Sequence, residues 1–198
     1  MKTVGLVAAG AFTILISVAN PVFAQQNVNI RGALQSFEGG ILSIKSNLGE
    51  EVKVRLPDGV AVAATKPFSL AEARPGMMLG VTTIRRNGEL IAIDVRPIPP
   101  AAKPGLSPHD LQPQSTMTNA ILEGSVATAG AQEITLNYGG GTVKVRVLPD
   151  TPMSQAAPGA RADLKPGATI YVAARRGDDG GLVAIRVQVS KDGVKPTQ

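Results

Sequence analysis

Val52-Lys53-Val54-Arg55-Leu56, closed by Pro57-Asp58, alternates aliphatic and cationic residues and then breaks. Ninety-one residues later the chain reads Val143-Lys144-Val145-Arg146-Val147, followed by Pro149-Asp150. A period of two puts Val52, Val54 and Leu56 on one face and Lys53 and Arg55 on the other, which predicts a half-buried antiparallel β-strand ended by proline. A strand pattern that recurs with its charges and its breaker in place predicts a duplicated all-β unit.

Outward from this strand, the register holds. Ile30-Arg31-Gly32-Ala33-Leu34 matches Leu122-Glu123-Gly124-Ser125-Val126, and Arg74-Pro75-Gly76-Met77 matches Lys165-Pro166-Gly167-Ala168. Arg85-Arg86 is aligned with Arg175-Arg176, and Leu90-Ile91-Ala92-Ile93 with Leu182-Val183-Ala184-Ile185. Each copy reads as five short strands, in the first copy near residues 28–35, 41–46, 52–56, 78–85 and 89–96. Turns are expected at Glu38-Gly39-Gly40, Asn47-Leu48-Gly49 and the hairpin signal Asn87-Gly88. A loop follows the third strand and carries one helical turn at 69–73, with Ser69 as cap and Glu72 completing a capping box.

Three strands, a short helical connection and two further strands follow the order of an OB-like barrel. The expected architecture is two tandem five-stranded OB-like barrels, spanning 27–96 and 119–190. The competing architecture is a small open β-sandwich. Residues 97–118 contain six prolines and read as an extended linker, and 191–198 as a frayed polar tail.

The N-terminal 24 residues read as an address. Lys2 precedes an apolar run from Val4 to Val18, Asn20 and Pro21 break it, and Val22-Phe23-Ala24 supplies a small-residue exit. That order predicts a secretory signal peptide cleaved after Ala24, and the run is shorter than the ~20 residues of a membrane span. The expected location is the periplasm or the medium, with no transmembrane span in the mature chain.

Composition narrows the chemistry further. The 198 residues are 43% hydrophobic but only 3% aromatic, and they include no Cys and one His. Thiolate sites and cysteine nucleophiles are excluded, as are multi-histidine metal centres. The formal charge is +5. An enzyme is not expected, nor is any cofactor or metal. Nucleic acid is not expected as a partner either, because only Phe37, Tyr138 and Tyr171 could offer rings and they do not recur between copies.

The pattern of Gly32, Val52-x-Val54, Pro57-Asp58, Arg74-Pro75-Gly76 and Leu90-x-Ala92 resembles a family of exported bacterial domains of unknown function, often found in tandem. The resemblance implies an OB-like periplasmic module and brings no catalytic residues with it.

The candidate binding residues are a basic set found in both copies: Lys53, Arg55, Arg85 and Arg86, then Lys144, Arg146, Arg175 and Arg176. In an OB-like barrel the third strand and the last hairpin flank the ligand groove, and guanidinium groups suit phosphate and carboxylate. The expected partner is an anionic envelope component or an envelope protein. The chemically bland reading is that these cations solvate outward strand faces. A second functional reading is a structural or accessory subunit of an envelope or transport assembly. Asp58, Asp150 and Asp178-Asp179 read as turn residues. His109-Asp110 reads as a lone exposed pair, and Met77 and Met78 as core filler.

Overall fold

The computed structural model describes residues 27–197, and the predicted signal segment with its Ala24 exit lies outside the described residues. The described chain is all-β, with one 3-10 turn at Arg161–Asp163. The first copy contributes β1 (Val28–Glu38), β2 (Ile41–Ser46), β3 (Glu51–Arg55), β4 (Val62–Pro67), β5 (Met78–Arg86) and β6 (Glu89–Pro97). An added strand, β7 (Gly105–His109), precedes the second copy. That copy holds β8 (Ser115–Thr128), β9 (Ala131–Asn137), β10 (Thr142–Val147), β11 (Ser154–Pro158), β12 (Thr169–Arg176) and β13 (Leu182–Val189).

These strands close two five-stranded barrels, as expected, but neither barrel is made from one copy. Barrel A runs β13-β12-β1-β2-β3 and returns to β13, so three strands of the first copy are completed by two of the second. Barrel B runs β5-β6-β10-β9-β8 and returns to β5, the reciprocal arrangement. The cores record the same exchange. Ile30, Leu34, Leu42, Ile44 and Val54 pack with Ile170, Val172, Ala184 and Val187 in barrel A. Leu79, Val81, Ala92 and Val95 pack with Leu122, Ile134, Leu136 and Val145 in barrel B.

The physical reason lies in the segment between the third and fourth predicted strands. It was expected to be a loop, and instead forms β4 and β11. These two pair antiparallel with Thr65 opposite Ala156, positions that correspond in the duplication, so a pseudo-twofold axis passes between them. β4 also runs parallel to β13, and Val95 bridges to Met153 beside β11 in the equivalent place. Each copy therefore spends this strand crossing to the opposite barrel. Phe68 and Leu70, just after β4, already belong to the core of barrel B.

Local chemistry explains the individual turns. Asn87 and Gly88 both take positive φ, +50° and +86°, the combination that joins twisted strands in a two-residue hairpin. Gly32 is demanded by contact, since a Cβ there would lie 2.1 Å from the carbonyl oxygen of Lys45 across β1 and β2. The helical turn expected at 69–73 is present as a bare turn. Ser69 Oγ accepts from the Ala71 N–H, and Glu72 Oε1 accepts from the Ser69 N–H. In the second copy Asp163 Oδ2 accepts from the Ala160 N–H in the same way, around the 3-10 turn.

The expectations for the linker and for the tail are corrected. Residues 97–118 are only in part a linker, because β7 lies antiparallel on β8 and Thr116, Met117 and Thr118 pair with both β7 and β5. The tail is not frayed. The chain turns back through Lys191 and Val194, buries Pro196, and places the Thr197 carbonyl where Arg31 Nε donates to it at 2.9 Å.

Candidate functional site

Each barrel closes along a seam where its third strand meets its last strand in parallel. In barrel A the seam pairs Val54 with Leu182 and Arg55 with Val183. In barrel B it is a single pair, Arg146 with Ile91. Short parallel pairing leaves the surface dented, and a hollow lies along each seam. The basic residues of β3 and β10 point into these hollows because the strand alternation turns their valine neighbours inward.

The hollow of barrel B has a volume of ≈ 500 Å³ and brings Arg85 of the first copy beside Lys144 and Arg146 of the second. Strand exchange is what joins them. The same hollow holds two acids. Arg146 Nη1 donates to Glu89 Oε2 at 3.3 Å and Lys144 Nζ lies 3.0 Å from Glu133 Oε1. Leu90 and Val143 supply apolar wall. Arg85 Nη1 donates to the Gly88 carbonyl, fastening the guanidinium to its own hairpin.

The hollow of barrel A, ≈ 220 Å³, is lined by Lys53 and Arg55 with Ile41, Leu182 and Asp179. Among the described residues no carboxylate lies within ion-pair distance of Lys53 or Arg55. Asp179 Oδ1 instead accepts the Gly181 N–H of its own hairpin.

The remaining candidates, Arg86, Arg175 and Arg176, line neither hollow. The strand register also corrects their alignment. Arg85 lies opposite Leu90 and Arg176 opposite Leu182, so these two arginines correspond. Both also donate Nη1 to a hairpin carbonyl, of Gly88 and Gly180 respectively. Arg175 stands where the first copy has Ile84. Only one arginine of the pair is therefore duplicated. Asp58 and Asp150 sit in turns, as expected.

A second polar assembly, between the barrels, was missed. Arg31 on β1 donates from Nη2 and Nη1 to the two carboxylate oxygens of Asp110, at 2.9 and 3.2 Å, and Asn29 Nδ2 donates to the same carboxylate at 2.9 Å. His109-Asp110 is thus a clasp across to barrel A, and the expected lone exposed pair is corrected. The His109 side chain is only 12% exposed. The guanidiniums of Arg31 and Arg186 both lie over the Tyr171 ring, 5.2 and 5.6 Å from its centre, and the Tyr171 hydroxyl donates to Asn29 Oδ1. Deeper, Asp94 is fully buried, accepts from Arg96 at 2.6 Å, and accepts from the Thr197 hydroxyl of the tail.

The environment moves these groups in different directions. Burial pushes the Asp94 carboxyl above its ordinary 3.8, against the pull of Arg96 and Thr197. Burial holds His109 below 6.5 even though Asp110 draws it up. At Asp110 burial acts upward, but the hydrogen bonds from Arg31 and Asn29 outweigh it and the carboxyl lies below 3.8. One signal for this cluster was available in the sequence. Asp94 interrupts an apolar strand, and the equivalent position of the second copy is Arg186.

Among the described residues no group of three acidic, His or Cys side chains could hold a metal ion, and no helix is long and apolar enough to cross a membrane. Comparison with protein families, curated proteins and solved structures found no match for the chain.

Proposed function

We propose that this chain is an exported, non-catalytic binding module, released after Ala24 into the periplasm or medium, that contacts an anionic envelope component. The seam of barrel A is the contact, through Lys53 and Arg55. Arg85, Lys144 and Arg146 form the corresponding seam of barrel B, while Arg86, Arg175 and Arg176 add positive potential around the last hairpins.

The carrying observation is the pairing state of the duplicated cations. Lys144 and Arg146 each have a carboxylate, whereas Lys53 and Arg55 have none among the described residues. Unneutralised Lys and Arg beside a surface dent attract phosphate and carboxylate groups and respond to salt.

Co-sedimentation of the chain beginning at Gln25 with phosphatidylglycerol vesicles tests the reading. Binding should be strong at low salt, weaken as salt rises, and drop severalfold in the double variant Lys53→Gln/Arg55→Gln. It should change little in Lys144→Gln/Arg146→Gln. Equal losses in both variants, or no binding, would overturn the assignment to barrel A. A second reading, a structural subunit of an envelope or transport assembly, draws on the interlocked barrels and docked tail. Salt-insensitive association with envelope protein would select it.

A further inference from the structure

The hollow on the barrel B seam carries a different chemistry from its counterpart, and we propose that it is a site for a small zwitterion, a molecule bearing a phosphate or carboxylate and, a few bonds away, an ammonium group. The inference concerns a separate hollow from the anion contact proposed above and stands without it.

Three observations carry it. First, Arg85, Lys144 and Arg146 share one hollow with Glu89 and Glu133, so donors for an anion and acceptors for a cation sit around the same space. Second, Arg146 Nε is shielded from solvent and has no hydrogen-bond partner, although Nη1 of the same guanidinium is engaged by Glu89. A shielded donor without an acceptor is costly, and a turn of the partly exposed guanidinium that offers Nε to a ligand's oxygen removes that cost. Third, Leu90 and Val143 line the same hollow as the charged groups and offer apolar surface to the short bridge that separates the two charges of a zwitterion.

The charge pattern selects the class. A simple anion drawn to Arg85 and Arg146 meets Glu89 and Glu133, and a simple cation drawn to the acids meets the guanidiniums. A molecule with both charges meets an opposite charge at each end, so repulsion rejects either half alone. The ion pairs already present do not block entry. Arg146 and Lys144 are 40% and 70% exposed, and pairs this exposed open at little cost.

Amide chemical-shift titrations of the whole chain with O-phosphoethanolamine, inorganic phosphate and ethanolamine, each alone, test the proposal. Phosphoethanolamine should shift amides of Glu89, Leu90 and Val143 to Arg146, with affinity at least about tenfold above either half. Glu89→Gln/Glu133→Gln should erase that advantage while the rest of the spectrum superimposes on the parent. Lys53→Gln/Arg55→Gln should leave it intact. Affinity equal to phosphate alone, an advantage that survives in the Glu variant, or its loss in the Lys53/Arg55 variant would each overturn the site. None of these outcomes depends on vesicle binding.

Discussion

At the seam of barrel B, Arg146 and Lys144 face Glu89 and Glu133, whereas in barrel A the places of the two acids are held by Gly181 and Ile41. Behind the seams the barrels diverge again. Asp94 and Arg96 on β6 correspond to Arg186 and Gln188 on β13, so a buried acid in one barrel stands where the other has an exposed arginine. The backbones and the strand cations repeat, and the polar groups that face them do not. A symmetric pair of separate chains would carry every substitution twice. Joined in one chain, the two units are free to change one seam at a time. The pseudo-twofold axis at Thr65 and Ala156 therefore relates scaffolds rather than sites.

The sharpest test of that asymmetry compares Asp94→Ala with Arg186→Ala. Removing Asp94 leaves Arg96, 12% exposed, without its carboxylate, and should destabilise the fold by about 3–5 kcal/mol. Removing Arg186 takes away a guanidinium over Tyr171 and its hydrogen bond to Gln188 Oε1, and should cost less, about 1–2 kcal/mol. Equal midpoints in urea titration would show the two positions to be energetically alike.

The exchange itself can be broken from the far side. Ile170 on β12 is 1% exposed in the core of barrel A, and Ile170→Ala should cost about 2–5 kcal/mol. Amide-exchange protection should then fall in β1, β2 and β3 before it falls in β8, β9 and β10. Loss in the opposite order would mean each copy guards its own barrel after all.

A smaller effect is expected with acid. Burial holds folded His109 below 6.5, so the unfolded chain takes up a proton first and stability should decline as pH falls below that value. Asp110 adds a second decline below 3.8 in the same sense, while Asp94, raised by burial, works the other way. His109→Asn should flatten the profile where it first declines, below pH 6.5. An unchanged slope there would remove His109 from the clasp's energetics.

Much of the fold was legible because strands write their period into the chain. Val52-x-Val54-x-Leu56 was read with the correct faces, and Asn87-Gly88 marked its hairpin. β4 was not legible. Val62-Ala63-Ala64-Thr65 has no alternation strong enough to separate it from loop, yet this strand decides that the copies exchange. Identical copies offer identical mates, so local pattern cannot tell a strand's own partner from its duplicate's. The candidate site was legible as residue types. Lys53 and Arg55 were found together, but Arg85 joined Lys144 and Arg146 only through the exchange, and the slip at Arg175 followed from matching one Arg-Arg pair to another by identity, one residue short of the repeat. The clasp of Arg31 and Asp110 spans seventy-nine residues and leaves no local trace.

The reciprocal trade of strands also sets a timetable for a chain made from its N-terminus. β1, β2 and β3 can pair with one another early, but Val28 must wait for Ala174, 146 residues later, before its edge is covered. Barrel B finishes its own complement sooner, at β10. Contacts this distant in sequence slow the approach to the native state and leave an open strand edge in the interval. β1, β2 and β3 are thus among the first strands to be made and the last to be secured, and the half-built molecule stays pliable until β12 and β13 are present.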